Sequence, residues 1–191
     1  MKNYICLLGL FFFTKCANVV SPSGGPKDLE PPRVLIANPS SPAINFNRKK
    51  IELEFNEFVQ IKNIENIQIS PLCEPGPTVL LKGKRLIIVP NCKLDSLTTY
   101  TINFGNAIAD LNEGNILKNY KYVFSQHKII DSLFLQTKST NIYTGHVVDG
   151  ALVCLTEELD SLRPIYYAYA NEEGECLIEN VASKDYFLYS F

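Results

Sequence analysis

The residues of this chain best able to do chemistry are its six cysteines. Cys6 lies inside a short apolar run, and Cys16 follows shortly after that run. The others are spread along the rest of the chain: Cys73, Cys92, Cys154 and Cys176. A thiol can be acylated, can pair in a disulfide or can ligate a metal, and its environment decides which.

The first sixteen residues have the organisation of an export signal. Lys2 precedes an apolar run at residues 5–13, a polar step follows at Thr14 and Lys15, and Cys16 comes next. The run is too short to span a hydrocarbon core, which needs about 20 residues. A basic start before a short apolar run is typical of a secretory signal peptide, so we predict export from the cytoplasm.

Cys16 occupies the place where an ordinary signal peptide has a small-residue cleavage site. This arrangement resembles the lipobox of bacterial lipoproteins, with Lys15 in place of the usual small residue. The resemblance implies that residues 1–15 are a lipoprotein signal peptide and that Cys16 is the lipid-attachment residue. The protein would then be anchored to a membrane without spanning it. A plain secreted protein with an incidental Cys16 is the alternative.

Four further cysteines allow three disulfide connectivities in an oxidising compartment. If the chain divides into two domains, the local pairs are Cys73 with Cys92 and Cys154 with Cys176. Buried free thiols are the alternative. Zinc is disfavoured, because the chain has no C-x-x-C pair.

Residues 110–115 place oxygen-bearing side chains at alternate positions, a spacing that suits calcium. An EF-hand loop would also need a third oxygen ligand at its fifth position, glycine at its sixth and glutamate at its twelfth. At these positions this chain has Gly114, Asn115 and Lys121. We therefore interpret the segment as a turn in which Asp110 binds local amides. A calcium site at Asp110, Asn112 and Asn115 is the alternative.

The chain offers little for catalysis. His127 and His146 are its only histidines, and neither belongs to a nucleophile or metalloprotease motif. We predict no catalytic residue and no cofactor. The tyrosines Tyr166, Tyr167 and Tyr169 are interpreted as core and surface residues, since the chain has no tryptophan. Stacking of Tyr167 and Tyr169 on a glycan is the alternative.

Composition indicates a folded protein that does not bind nucleic acid. Hydrophobic residues make up 46% of the chain, which excludes a disordered protein. There are 18 basic and 20 acidic side chains, for a net charge of −2. Loss of Lys2 and Lys15 with the leader makes the mature form more acidic. Nucleic-acid binding calls for a clustered basic face.

The elements that hold these residues are predicted to be strands. Residues 16–31 are rich in proline and glycine and indicate a partly stiff tether. Ile51, Leu53 and Phe55 then alternate with polar residues, which is typical of a strand with one buried face. Similar segments recur at residues 67–69, 79–81, 86–89, 100–104 and 120–124, with turn residues between them. Short strands at such intervals predict a β-sandwich over residues 32–126.

Several motifs in this region resemble the bacterial Ig-like domain of the SbsA type. They are Phe55-Asn56-Glu57-Phe58-Val59, Leu97-Thr98-Thr99-Tyr100-Thr101-Ile102, Asp110-Leu111-Asn112-Glu113-Gly114-Asn115 and Tyr122-Val123-Phe124-Ser125. The opening at residues 16–32 is similar to lipoproteins of Bacteroidetes that begin with this domain.

A second β pattern is predicted after a connector at residues 127–142. Its strands are expected at residues 143–149, 151–155, 165–170, 176–178 and 186–191. The arrangement resembles a prealbumin-like or carboxypeptidase-regulatory-like sandwich, of which residues 143–191 would be a part. The expected fold is therefore all-β, with tandem Ig-like sandwiches and the second incomplete.

These features together predict a non-enzymatic, lipid-anchored protein of the cell envelope. We expect it in the outer membrane, on the periplasmic or the cell-surface side. It would act as a structural spacer and protein-interaction module, including as an accessory subunit of an outer-membrane assembly, with envelope proteins as partners. A surface carbohydrate-binding or adhesive lipoprotein is one alternative, and the N-terminal region of a larger enzyme is another.

Overall fold

The computed structural model describes residues 25–159 and 163–191, and these ranges contain strands but no α-helix. The all-β prediction is confirmed. Within the described residues, no helix has the length and apolar character needed to cross a bilayer.

The first domain comprises ten strands. They are β1 (Val34–Asn38), β2 (Ile51–Phe55), β3 (Val59–Ile61), β4 (Gln68–Ser70), β5 (Thr78–Lys82), β6 (Arg85–Val89), β7 (Thr99–Asn103), β8 (Ile108–Asp110), β9 (Ile116–Leu117) and β10 (Lys121–Ser125). One sheet has the order β1-β2-β6-β5 and another the order β10-β7-β4, while β3-β8-β9 form a small third sheet. All strand pairs in these sheets are antiparallel.

The core of the first domain is formed by side chains at alternate positions of its strands. In β2, Ile51, Leu53 and Phe55 are buried, while the two glutamates between them are only partly covered. Strands β7 and β10 supply aromatic residues from the facing sheet, and the rings of Tyr100 and Phe124 stack with centroids 5.4 Å apart. Each such fully buried side chain contributes about 1.5–3 kcal/mol relative to an exposed one.

The segment after β1 runs beside the last strand of the first domain. Ala43 and Phe124 form a parallel bridge. Ala43 N–H donates to the Val123 carbonyl at 2.9 Å, and Ser125 N–H donates to the Ala43 carbonyl at 2.8 Å. Two more backbone bonds continue the pairing, from Phe46 N–H to the Ser125 carbonyl and from Asn45 N–H to the His127 carbonyl. The segment that follows β1 and the last strand of the domain are thus paired in parallel.

The second domain comprises five strands in the described residues. They are β11 (Leu133–Lys138), β12 (Leu152–Thr156), β13 (Tyr166–Tyr169), β14 (Glu175–Val181) and β15 (Phe187–Ser190). One sheet pairs β11 with β14, and the other has the order β13-β12-β15. Val153, Leu155, Tyr166 and Ile178 lie in a core separate from that of the first domain. Each domain therefore has its own hydrophobic core.

The segment at residues 127–142, predicted to be a connector, is not all irregular chain. Strand β11 lies inside it and pairs with β14, and Leu135 packs against the core of the second domain. The segment at 143–149, expected as a strand, instead starts in an exposed turn. The Asn141 side chain accepts the N–H groups of Tyr143 and Thr144, and Tyr143 is 95% exposed. Side-chain capping by Asn141 favours this turn over a strand.

Candidate functional site

The predicted lipid-attachment residue, Cys16, lies outside the described residues, as does most of the predicted tether. The tether's described end is exposed and has no regular structure. Its last residues nevertheless contact the first domain: the Asn115 side-chain amide donates to the backbone carbonyls of Asp28 and Glu30 at 3.1 and 3.3 Å. The chain is therefore held against the domain from residue 28 onward.

Asp110 organises the turn that provides this contact. Its carboxylate accepts the backbone N–H groups of Glu113, Gly114 and Asn115 at 2.6, 2.9 and 2.7 Å. Burial alone raises the pKa of this carboxyl, but the hydrogen bonds from these backbone N–H groups outweigh burial, and the pKa lies below its ordinary value. Gly114 has φ of +80°, a conformation that glycine adopts without a steric penalty.

The structure does not bring the three calcium candidates together as ligands. Both carboxylate oxygens of Asp110 point to backbone N–H groups, Asn112 is exposed, and the Asn115 amide is directed at the tether. The Lys62 ammonium group donates to the Gly114 carbonyl at 3.0 Å, which places a positive charge at the same turn. Within the described ranges, no group of three or more His, Cys, Asp or Glu side chains could hold a metal ion.

Cys73 and Cys92 form a disulfide, with their Cα atoms 5.2 Å apart. Cys73 follows β4 and Cys92 follows β6, so the bond joins the ends of strands from two different sheets. It is a covalent link between the facing sheets of the first sandwich.

Cys154 and Cys176 are buried free thiols, so the predicted bond between them is not formed. Strand alternation explains this result. Val153 and Leu155 point into the core that contains Cys176, so Cys154, between them, points to the opposite face of β12. Burial raises the pKa of both thiols, which keeps them protonated and unreactive.

The three tyrosines of β13 divide between core and surface. Tyr166 is buried, its hydroxyl accepts the Ala182 N–H at 3.2 Å, and its ring meets Tyr186 edge to face. Tyr167 and Tyr169 lie on the other face, where Tyr167 is half-buried and Tyr169 is 54% exposed. The histidines lie apart, His127 after β10 and His146 in the exposed turn near residue 143.

Polar contacts join the two domains. The Asn180 side-chain amide donates to the Thr101 hydroxyl at 2.8 Å, and Lys121 forms an ion pair with Glu179. The Leu72 N–H donates to the Ile165 carbonyl at 2.7 Å. These bonds connect β7 and β10 of the first domain with β14 of the second domain, and the segment after β4 with the residue that precedes β13.

The connector is also fixed to the first domain. The Asp131 N–H donates to the Thr99 hydroxyl at 2.8 Å, and the Asp131 carboxylate accepts the Thr99 N–H at 3.3 Å. Thr99 is fully buried. The mutual position of the two domains is therefore held by the connector and by direct contacts.

An open groove of about 560 Å³ lies between the domains. The first domain contributes outward-facing residues of β4 and β7 and the turns beside them, and the second contributes residues of β13 and β14. The side chains that line the groove include Asn66, Gln68, Ser70, Asn103, Asn119, Tyr167 and Tyr169. The sequence analysis considered the two tyrosines as ligand-binding residues but did not identify the polar wall of the groove. The only sign of that wall in the sequence is a polar residue at alternate strand positions.

A family model described as "Bacterial Ig-like domain" matches residues 28–126. This match covers more than half of the chain, so the protein belongs to the bacterial Ig-like domain family. Searches of curated proteins and of solved structures found no match. The resemblance of residues 143–191 to a prealbumin-like sandwich stays a prediction.

Proposed function

We propose that this protein is a lipid-anchored, non-enzymatic component of the cell envelope that displays two sandwich domains as a spacer and protein-interaction module. The Ig-like family supports the module part of this proposal, because its fold is that of a structural or interaction module and is of a non-catalytic type. The proposal also assigns to the protein a lipid anchor, an outer-membrane location on the periplasmic or surface side, and envelope proteins as partners.

The observation that carries the proposal is the position of the family match relative to Cys16. The match begins at residue 28, where the Asp110 turn first holds the chain. Only residues 17–27 separate this point from Cys16, a length of about 40 Å if fully extended. An acyl chain on Cys16 would thus hold the first domain close to the bilayer, while the second domain would lie further along the chain.

The anchor is tested by Cys16→Ser in cells fed a radiolabelled or clickable fatty acid. We expect the variant to lose acyl labelling and to appear as an uncleaved or soluble species, because serine offers no thiol for lipid attachment. Cys6→Ser is the matched control, since it removes a thiol from the leader without changing the predicted attachment site. Labelling and membrane partitioning that persist in Cys16→Ser would contradict the proposal.

The membrane face is tested by proteolysis of intact cells. Cleavage of the chain in intact cells would place the domains on the cell surface, and protection until the outer membrane is opened would place them in the periplasm. Fractionation with the inner membrane would contradict the proposed location.

A further inference from the structure

The groove between the domains has the size of a small-molecule site. Its volume of about 560 Å³ falls within the range of roughly 300–1,000 Å³ that is usual for ligand pockets. Both of its walls are strand surfaces, and the contacts around it, including Asn180 with Thr101, fix the distance between them. The groove is therefore present before any ligand binds, which lowers the entropic cost of binding.

One wall of the groove is rich in side-chain amides. Asn66, Gln68 and Asn119 each carry a carbonyl acceptor and an NH₂ donor, while Asn103, whose side-chain carbonyl accepts the Gly105 N–H at 2.9 Å, adds an NH₂ donor. Next to them, the Ser70 hydroxyl is buried and has no hydrogen-bond partner among the described residues. An amide can accept from one hydroxyl group and donate to its neighbour, so this wall is suited to a ligand with adjacent hydroxyl groups.

The opposite wall is aromatic. Tyr167 and Tyr169 occupy alternate positions of β13 and line the groove together with Leu177. A tyrosine presents a flat apolar face and a polar edge, and it loses little conformational entropy when it binds. The C–H face of a pyranose ring matches such a surface, while its hydroxyl groups remain free to meet the amides.

Charge in the groove is balanced. Among the described lining residues, the charged ones are Lys121 and Glu179, and these pair with each other. Neither an anionic nor a cationic ligand would find an uncompensated opposite charge there. The groove therefore favours an uncharged ligand.

We propose that the groove between the two domains binds a neutral oligosaccharide, with Tyr167 and Tyr169 against the sugar rings and the amides of the first domain on the hydroxyl groups. This inference goes beyond the proposed spacer function and does not depend on the anchor at Cys16. The two domains would then form a single site that neither contains alone.

The test uses the full chain, purified in detergent, on an array of neutral, acidic and sulfated oligosaccharides. We expect binding to neutral members, followed by titration calorimetry with the strongest neutral binder. Tyr169→Ala and Gln68→Glu should each weaken binding by about tenfold, or ~1.4 kcal/mol. Both positions face solvent at the groove, so the melting temperature should not change. The matched controls, Tyr143→Ala and Gln126→Glu, lie at exposed positions outside the groove lining and should bind as the wild type does.

Three outcomes would overturn the proposal. The first is no binding to any neutral oligosaccharide, and the second is binding confined to acidic or sulfated members. The third is binding that survives unchanged in both groove variants, because the ligand would then lie elsewhere on the protein. None of these results bears on acylation, so failure here is distinct from failure of the anchor.

Discussion

At the scale of single residues, Asp110 shows how one buried carboxylate can define a turn. Its three backbone partners are all within the following five residues, so the motif at residues 110–115 is a local structure. Local hydrogen bonding of this kind is visible in a sequence, because it depends on neighbours along the chain. The turn interpretation of this motif could therefore be reached before the structure was known.

The lowered pKa of Asp110 predicts an acid-dependent stability. A group whose folded pKa is depressed stabilises the fold above its unfolded pKa, about 3.9, and this contribution is lost as the pH falls through the folded value. Asp110→Asn should thus lower the melting temperature at pH 7, and the difference from wild type should shrink below about pH 4. Thermal melts between pH 7 and pH 2.5 measure this difference.

Asp149→Asn is the control, because it removes one carboxylate from an exposed position of the second domain. It should leave the melting temperature at pH 7 unchanged. A difference between Asp110→Asn and wild type that stays constant over the whole pH range would show that the charge of Asp110 does not stabilise the turn.

At the scale of elements, the disulfide links the two facing sheets of the first domain. It joins residues 19 positions apart in sequence, and a closed loop of this length is worth on the order of 3 kcal/mol in the chain-entropy model. Reduction should therefore lower the melting temperature of the first domain by about 10 °C or more. The Cys73→Ser/Cys92→Ser variant should melt at the lower temperature with or without reductant.

Alkylation distinguishes the four cysteines directly. In denaturant without reductant, Cys154 and Cys176 should react, because they are free thiols, while Cys73 and Cys92 should react only after reduction. Peptide mass spectrometry reads the result. Alkylated Cys73 in unreduced protein taken from cells would show that the bond is absent there.

Strand prediction succeeded where alternation was strong and failed where it was weak. Strand β2 alternates cleanly between buried and partly covered residues, and the sequence predicts it with its observed bounds. Strand β11 begins with the apolar run Leu133-Phe134-Leu135, and two of these residues are more than half exposed. Its strand character comes from pairing with β14, which lies far away in sequence and leaves no local pattern.

At the scale of the whole molecule, the two domains, each with its own core, meet through polar contacts. Such contacts fix geometry but add little stability, and a partly exposed ion pair such as Lys121 with Glu179 is worth about 1 kcal/mol or less. The groove between the domains could not be predicted from the sequence, because the polar contacts that form it join residues far apart in the chain. Gln68 and Tyr169 line the same groove although they lie in different domains and about a hundred residues apart in sequence.

Loss of these contacts should loosen the pair of domains without unfolding either. Asn180 has φ of +58°, so Asn180→Gly keeps the backbone conformation while it removes the bond to Thr101. Combined with Lys121→Ala, it should increase the radius of gyration in small-angle X-ray scattering and leave the melting temperatures nearly unchanged. Asn45→Gly, at another positive-φ position outside the contact, is the control. Scattering identical to wild type would contradict this account of the interface.

The parallel pairing of the segment at residues 43–46 with β10 has a mechanical consequence. Once β1 has separated from β2, a pull between the N-terminal tether and the second domain would draw these two segments along the same axis in opposite directions. The four backbone bonds between them would then bear the force together, in shear, and could not open one after another. A chain held at one end and pulled at the other would resist extension through these bonds, and stretching single molecules from both ends should show the first domain opening in one abrupt event.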